Sequence, residues 1–465
     1  MRSPTANADS RLSLWRRVRE YAVPPSMIEA ATARRHVGDW AGACAAARVD
    51  VDLDLRAVAR THGRELATRL RTDLRHLAPD LLRWHMPRIA PDGLLRPGLT
   101  ISLTRYGPAE HDGAEAVHLV ARTPPAWADA GQRISLALWA AGFPDRTDSS
   151  HPHPRPDRRF RLDLHRHLWD ARRTDELRTR SGLLPSASDN TVRPDPPWDA
   201  LRERGYAVDR WAAEATLLLR QEGRTNGSVV VRLGPRRRLV VDVAAASTDV
   251  HPPAARLGEA ARAGGVPGVP VLPDAATWTP PDVELLRHGL IEVDRLHPLV
   301  AAALAPGHQP SAIPTSPGPE ATPRLVACRG ARHRIGLVDG VLTPLDHDPA
   351  EIRREELLAA LTGTPLACLR AIDEAHRSPQ CLPDIRARLD HGDTAGALAA
   401  VEALLGPDAL LRHGELRKEL ENAASRRITY GLFRAGLIGS GPATCSRDWQ
   451  PKRASRSHPR HAIAR

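Results

Sequence analysis

The chain has 465 residues, of which 42% are apolar and 26% charged, with 42 prolines and 33 glycines. This composition excludes a wholly disordered or collagen-like chain and predicts a buried core spread over about three domains. The formal charge of +11 is uneven, because residues 446–465 carry six Arg or Lys against Asp448, which leaves +6 for residues 1–445.

Residues 10–87 show helical spacing: Leu14, Val18 and Tyr21 share one line, and Pro24-Pro25 stops it. A second helix runs to Val37, and Leu55, Val58, Leu66, Leu70 and Leu74 recur at helical intervals up to a break near Pro79. From Leu99 the period becomes two. Leu99-Ile101-Leu103, Val117-Leu119, Ile134-Leu136-Leu138 and Phe160-Leu162-Leu164 each alternate with more polar neighbours. Four such segments predict an antiparallel sheet whose apolar face is covered by helices. Two helices between Trp198 and Gln221 precede a hairpin, SVVVRL-GPRR-RLVVDV. Thr279, Pro280 and Asp282 mark a helix start as cap, first residue and reciprocal carboxylate. Residues 324–345 read as a β-meander. Asp348, Pro349 and Glu351 repeat the start signal, and helices follow to about Leu437.

The expected fold is α+β, with a helical N-terminal segment, a central antiparallel sheet flanked by helices, and a C-terminal β-meander plus helical bundle. The boundaries read as a helical region 1–92, a mixed domain 93–306, a Pro/Ser/Gly linker 307–323, a meander-plus-helix domain 324–440 and a disordered basic tail 441–465.

The pattern G-D-x-A-G-A occurs twice, at Gly38 and at Gly392. Glycine permits the positive φ that ends a helix, aspartate caps the next helix, and alanine lets two helices approach closely. Gly38, Asp39, Trp40 and Ala43, and again Gly392, Asp393 and Ala397, resemble the helix-to-helix corner of tetratricopeptide repeats. The copies lie at opposite ends of the chain with no regular period between them, so they are expected to be separate structural corners.

Lysine occurs only at Lys418 and Lys452. Arginine replaces it throughout, as a high-GC genome would dictate. Neither lysine has phosphate-loop context, which argues against P-loop nucleotide hydrolases, protein kinases and lysine Schiff-base enzymes. There is no H-E-x-x-H, G-x-S-x-G or C-x-x-C. The five cysteines are scattered and predict reduced thiols in a cytoplasmic protein. No signal-peptide core and no membrane-length apolar run are present.

Four stretches could carry chemistry or binding. Asp163, His165 and His167 alternate, so on a strand they would share one face and could hold Zn²⁺ or Fe²⁺ for a metal-dependent hydrolase. Asp346, His347 and Asp348 also look like ligands, although a capping box accounts for Asp348. Cys368, His376 and Cys381 match no zinc spacing and read as buried thiols. Arg236, Arg237 and Arg238 at a hairpin tip, with Lys452 and Arg453 in the tail, offer phosphate contacts, and the tail alone would bind nucleic acid nonspecifically. The expected function is a non-catalytic cytoplasmic adaptor or regulatory subunit with a protein partner, no cofactor and no membrane contact. A metal-dependent hydrolase and a nucleic-acid-binding protein are the alternatives.

Overall fold

The computed structural model describes residues 4–107, 116–141, 151–182, 196–234, 237–244, 255–259, 268–308, 324–363 and 365–437. Most of the expected linker and all of the expected tail lie outside them. The protein is α+β and falls into two compact units. The larger draws its described residues from the chain up to His308, and the smaller from Arg324–Leu437 together with Ala130–Gln132.

The larger unit opens with a helix at Pro4–Arg17 that passes into a π-helical turn, Val18–Ala22, followed by a helix at Pro25–His36. A short strand β1 (Val49–Val51) interrupts the helices. After further helices come the two-stranded β2 (Arg88–Ile89) and β3 (Leu94–Leu95), then β4 (Thr100–Tyr106), β5 (Val117–Arg122) and β6 (Ile134–Ala140). The main sheet has the order β1-β6-β5-β4. Its last three strands are antiparallel, while β1 lies parallel to β6. The sheet is therefore mixed, which the sequence reading missed because Val-Asp-Val is too short to display a period. Ile101, Leu103, Leu119, Ile134 and Leu136 are buried in one core with Leu14, Leu70, Leu74 and Trp84 from the helices.

The fourth alternating segment, residues 160–165, is not a strand. Arg161 forms one isolated bridge to Ser102, and the chain then turns into a 3₁₀ helix, Arg166–Leu168. Phe160 and Leu162 are buried as expected, but the Trp169 indole donates to the Leu162 carbonyl at 3.0 Å and holds a turn where an extended backbone was expected.

A second sheet in this unit pairs β7 (Gly227–Arg232), β8 (Arg238–Val243) and β9 (Ala255–Glu259), all antiparallel. Val229 and Val231 of β7 and Leu239 and Val241 of β8 pack against Trp211, Ala215, Leu218 and Leu219 of the helix Trp211–Gln221. The later helix begins at Pro281 and has no side-chain cap; Asp282 instead accepts the Trp84 indole N–H at 2.8 Å.

The smaller unit is a meander, β10 (Arg324–Cys328), β11 (Ala331–Val338) and β12 (Val341–Pro344), followed by five helices. Asp348 caps the helix Pro349–Thr362, accepting from Ala350 N at 3.0 Å, while Glu351 pairs with Arg329 and does not fold back on the cap. Among the described residues, no helix is long and apolar enough to cross a membrane.

Candidate functional site

Six stretches of the larger unit converge on one cavity of about 120 Å³. The N-terminal helix supplies Arg11 and Trp15. The end of the helix Pro79–His85 and the residues after it supply His85, Met86 and Arg88. Strand β4 supplies Ile101, the turn after Arg161 supplies Leu162 and His167, and Arg210 and Trp278 come from further along the chain. The hydrophobic pattern explains this convergence. Trp15, Met86, Ile101, Leu162 and Trp278 each belong to, or pack on, a core, and each core meets the cavity at its edge.

The polar groups at this wall are unusual. Arg88 is 1% exposed, and two of its nitrogens donate to the backbone carbonyls of Gly93 and Arg83 at 3.2 and 2.5 Å. Its Nε has no hydrogen-bond partner among the described residues, nor do Nδ1 of His167, Nε2 of His85, or Nε and Nη1 of Arg210. Leaving a buried polar group unpaired costs on the order of 1–3 kcal/mol. Burial pulls the Arg88 guanidinium down to about 9. Burial also drives His85 down to about 3 and His167 well below its ordinary value, with nearby cations adding to the effect. Both imidazoles are therefore neutral near pH 7, and each has a nitrogen without a hydrogen bond among the described residues, that of His167 lying 3.9 Å from Glu176 Oε2.

Beside the cavity, Glu214 gathers three partners. Arg180 donates to both carboxylate oxygens at 3.0 and 2.7 Å, Arg210 donates at 3.0 Å and His165 Nε2 approaches at 3.1 Å. Burial opposes ionisation of Glu214, but the bonds from His165 and Arg180 outweigh it and hold the carboxyl well below the usual range. Arg11 is paired with Glu284, its Nε donating at 2.9 Å. Among these cationic residues at the wall, Arg88 is held by carbonyls alone.

The sequence-predicted residues are placed as follows. Asp163 accepts from Arg161 Nε and Nη2, at 3.0 and 2.7 Å. His165 faces the Arg161 carbonyl at 2.8 Å through Nδ1 and Glu214 through Nε2, so both ring nitrogens meet acceptors. His167 lies edge-on to His165, with ring centroids 5.8 Å apart, and lines the cavity. The strand face that would have aligned the three residues does not form. Arg238 pairs with Arg232 across β7 and β8, and Arg237 is exposed. Arg236, Lys452 and Arg453 lie outside the described residues.

The two G-D-x-A-G-A corners share one geometry. Gly38 and Gly392 have φ of 78° and 80°. Asp39 accepts from Gly42 N at 2.8 Å and Asp393 from Gly396 N at 3.3 Å. An arginine five residues earlier grips each aspartate: Arg34 at 3.2 Å and Arg388 at 3.0 Å. Trp40 and Thr394 start the capped helices, and Ala43 and Ala397 are fully buried.

In the smaller unit, Cys328, His347 and Cys368 bring one potential ligand atom each within 4.8 Å of one another. Along the sequence His347 and Cys368 fall in separate local clusters, because the spacing that unites them is set by the meander. No family model, curated protein or solved structure matches the chain.

Proposed function

We propose that the larger unit binds a compact apolar molecule carrying one negative charge, and that the protein acts by binding, as a regulatory subunit. The observation that carries this reading is the set of unpaired buried nitrogens on Arg88, His167 and Arg210 around an apolar cavity. A carboxylate would neutralise Arg88, which has no acidic partner among the described residues, and would accept from several donors at once. The size of the cavity limits the ligand. An engineered apolar cavity of roughly 150 Å³ holds benzene, so the ligand here is smaller than benzene, such as a short branched acid.

Calorimetric titration of the full chain with isobutyrate, isobutanol and isobutyramide tests this. Isobutyrate should bind saturably and more tightly than the two neutral compounds, and His167→Phe should abolish its binding. If none of the three binds, or if all three bind equally, the charge-selective pocket is refuted.

A second reading, contact with a protein partner, rests on the helix Pro349–Thr362. None of its fourteen residues is buried, and Leu357, Leu358 and Leu361 are 68%, 50% and 85% exposed. Leucines at i, i+1 and i+4 make one apolar stripe of the kind a partner covers. Recovery of a stoichiometric partner that is lost on Leu357→Glu/Leu361→Glu would support it, and recovery of the same proteins with that variant would remove it.

A further inference from the structure

We infer that Cys328, His347 and Cys368, completed by His333, form a zinc site in the smaller unit. The donor set is Cys₂His₂ with the spacing C-x₄-H-x₁₃-H-x₂₀-C, and two structural devices bring its members together.

The first device is a two-residue hairpin turn. Arg329 and Gly330 both have positive φ, 49° and 79°, as a tight turn between twisted strands requires. The turn fixes the register so that Cys328 opposes Ala331 and Val326 opposes His333. Directly opposed residues point to the same side of an antiparallel pair, so Cys328 and His333 share a face. That face carries the buried Ile335 and packs on the helix Ala367–Arg377, whose second residue is Cys368. Cys328 is 3% exposed and Cys368 is fully buried.

The second device holds His347 between two anchors. The Asp346 carboxylate accepts from Arg334 N at 2.7 Å and from its guanidinium at 2.7 Å, and Asp348 caps the next helix. His347 Nε2 thereby lies 3.5 Å from Cys368 Sγ. Zinc bonds of about 2.3 Å to sulfur and about 2.0 Å to nitrogen, set at tetrahedral angles, place neighbouring ligand atoms roughly 3.5–3.8 Å apart. The other face of the ring meets the second requirement of a ligating histidine, a carboxylate near the remaining nitrogen: Nδ1 is 3.8 Å from Glu351 Oε2.

His333 adds an independent observation. Its ring stacks on His347 with centroids 4.2 Å apart, and its Nδ1 is buried without a hydrogen-bond partner among the described residues. A metal cannot lie in the planes of two stacked rings, so His333 becomes the fourth ligand only when its ring turns out of the stack and brings that unpaired nitrogen to the other three. Two thiolates balance the charge of Zn²⁺, so the occupied site is neutral and suits a dry interior. Thiolate with imidazole in a four-fold site selects zinc over the harder cations. Binding displaces the two thiol protons to solvent.

The test uses the full chain, purified without a metal-affinity step. Elemental analysis should find one zinc per chain. Removing zinc and adding Co²⁺ to the wild-type protein should give the intense visible bands of a tetrahedral centre with a thiolate charge-transfer band, a readout that needs no variant to fold. Cys328→Ser, Cys368→Ser and His347→Ala should each weaken zinc binding at least a hundredfold in competition with a chromophoric chelator, and His333→Ala at least tenfold. Absence of stoichiometric zinc together with an octahedral cobalt spectrum would overturn the site. So would retention of zinc by the double Cys328→Ser/Cys368→Ser variant, or recovery of a Cys328–Cys368 disulfide from the native protein. Unchanged affinity on His333→Ala would overturn the four-ligand assignment.

Discussion

Glu214 illustrates how much one side chain can organise. Two arginines and His165 converge on its carboxylate, and it is 5% exposed. Removing one member of a buried ion cluster strands the others, at a cost of about 3–5 kcal/mol. Glu214→Gln should therefore destabilise the larger unit by that amount in urea titrations followed by tryptophan fluorescence. A loss below about 1 kcal/mol would mean that Arg180 and Arg210 are solvated in the folded protein. The cavity histidines give a pH prediction. Folded, His85 titrates near 3 and His167 well below its usual value, because both are buried. Unfolded, both titrate near about 6.5, so between those limits the unfolded chain takes up protons that the folded chain refuses. Their contribution to stability is complete above about pH 6.5 and declines as the pH falls, by up to about 1.4 kcal/mol per pH unit for each histidine. His167→Phe should lower the slope between about pH 6.5 and about pH 5.5 by one histidine's share, and an unchanged slope would show that His167 is charged in the fold. The sequence drew attention to His165 and His167 as a pair. It could not reveal Glu214, which lies 49 positions from His165 and shares no local pattern with it.

At the level of single elements, the paired corners offer a test whose outcome changes sign with context. A Cβ at Gly396 would sit 2.2 Å from the Asp393 carboxylate, and one at Gly42 would sit 2.0 Å from that of Asp39. The second glycine of G-D-x-A-G-A thus makes room for the cap. Asp393→Ala should cost about 1 kcal/mol. Gly396→Ala should also destabilise the wild-type protein, yet in the Asp393→Ala background it should stabilise by up to about 1 kcal/mol, because alanine is the better helix former. Additive effects in thermal melts of the four proteins would refute that account. The corners were legible because the turn glycine and the capping aspartate act within three residues of their own positions. The meander was legible for a similar reason: its turns and strands are adjacent in sequence. The alternation at residues 160–165 misled because it records which side chains are buried, and a turn beneath Trp169 buries Phe160 and Leu162 as well as a strand would. The cavity was illegible in the sequence, since its wall is assembled from six separated stretches.

At the level of the whole molecule, the contacts that define the smaller unit lie mainly within residues 324–437. Its helices enclose their own core around Ile385, Leu389, Ala397, Leu405 and Leu416. Expressed alone, that segment should melt cooperatively, and zinc at a hundred times its dissociation constant should raise its stability by about 2.7 kcal/mol. A broad, non-cooperative transition with saturating zinc would show that it depends on the rest of the chain. The larger unit has a different history. Val49–Val51 closes the edge of its main sheet only by pairing with Ile134–Leu136, strands separated by several helices and by both β4 and β5. During synthesis, the early helices must therefore leave the ribosome before the strand that completes their layer exists. A nascent chain halted short of Ile134 would expose an unfinished sheet edge, so this stretch of translation leaves the protein open to mispairing and to capture by chaperones.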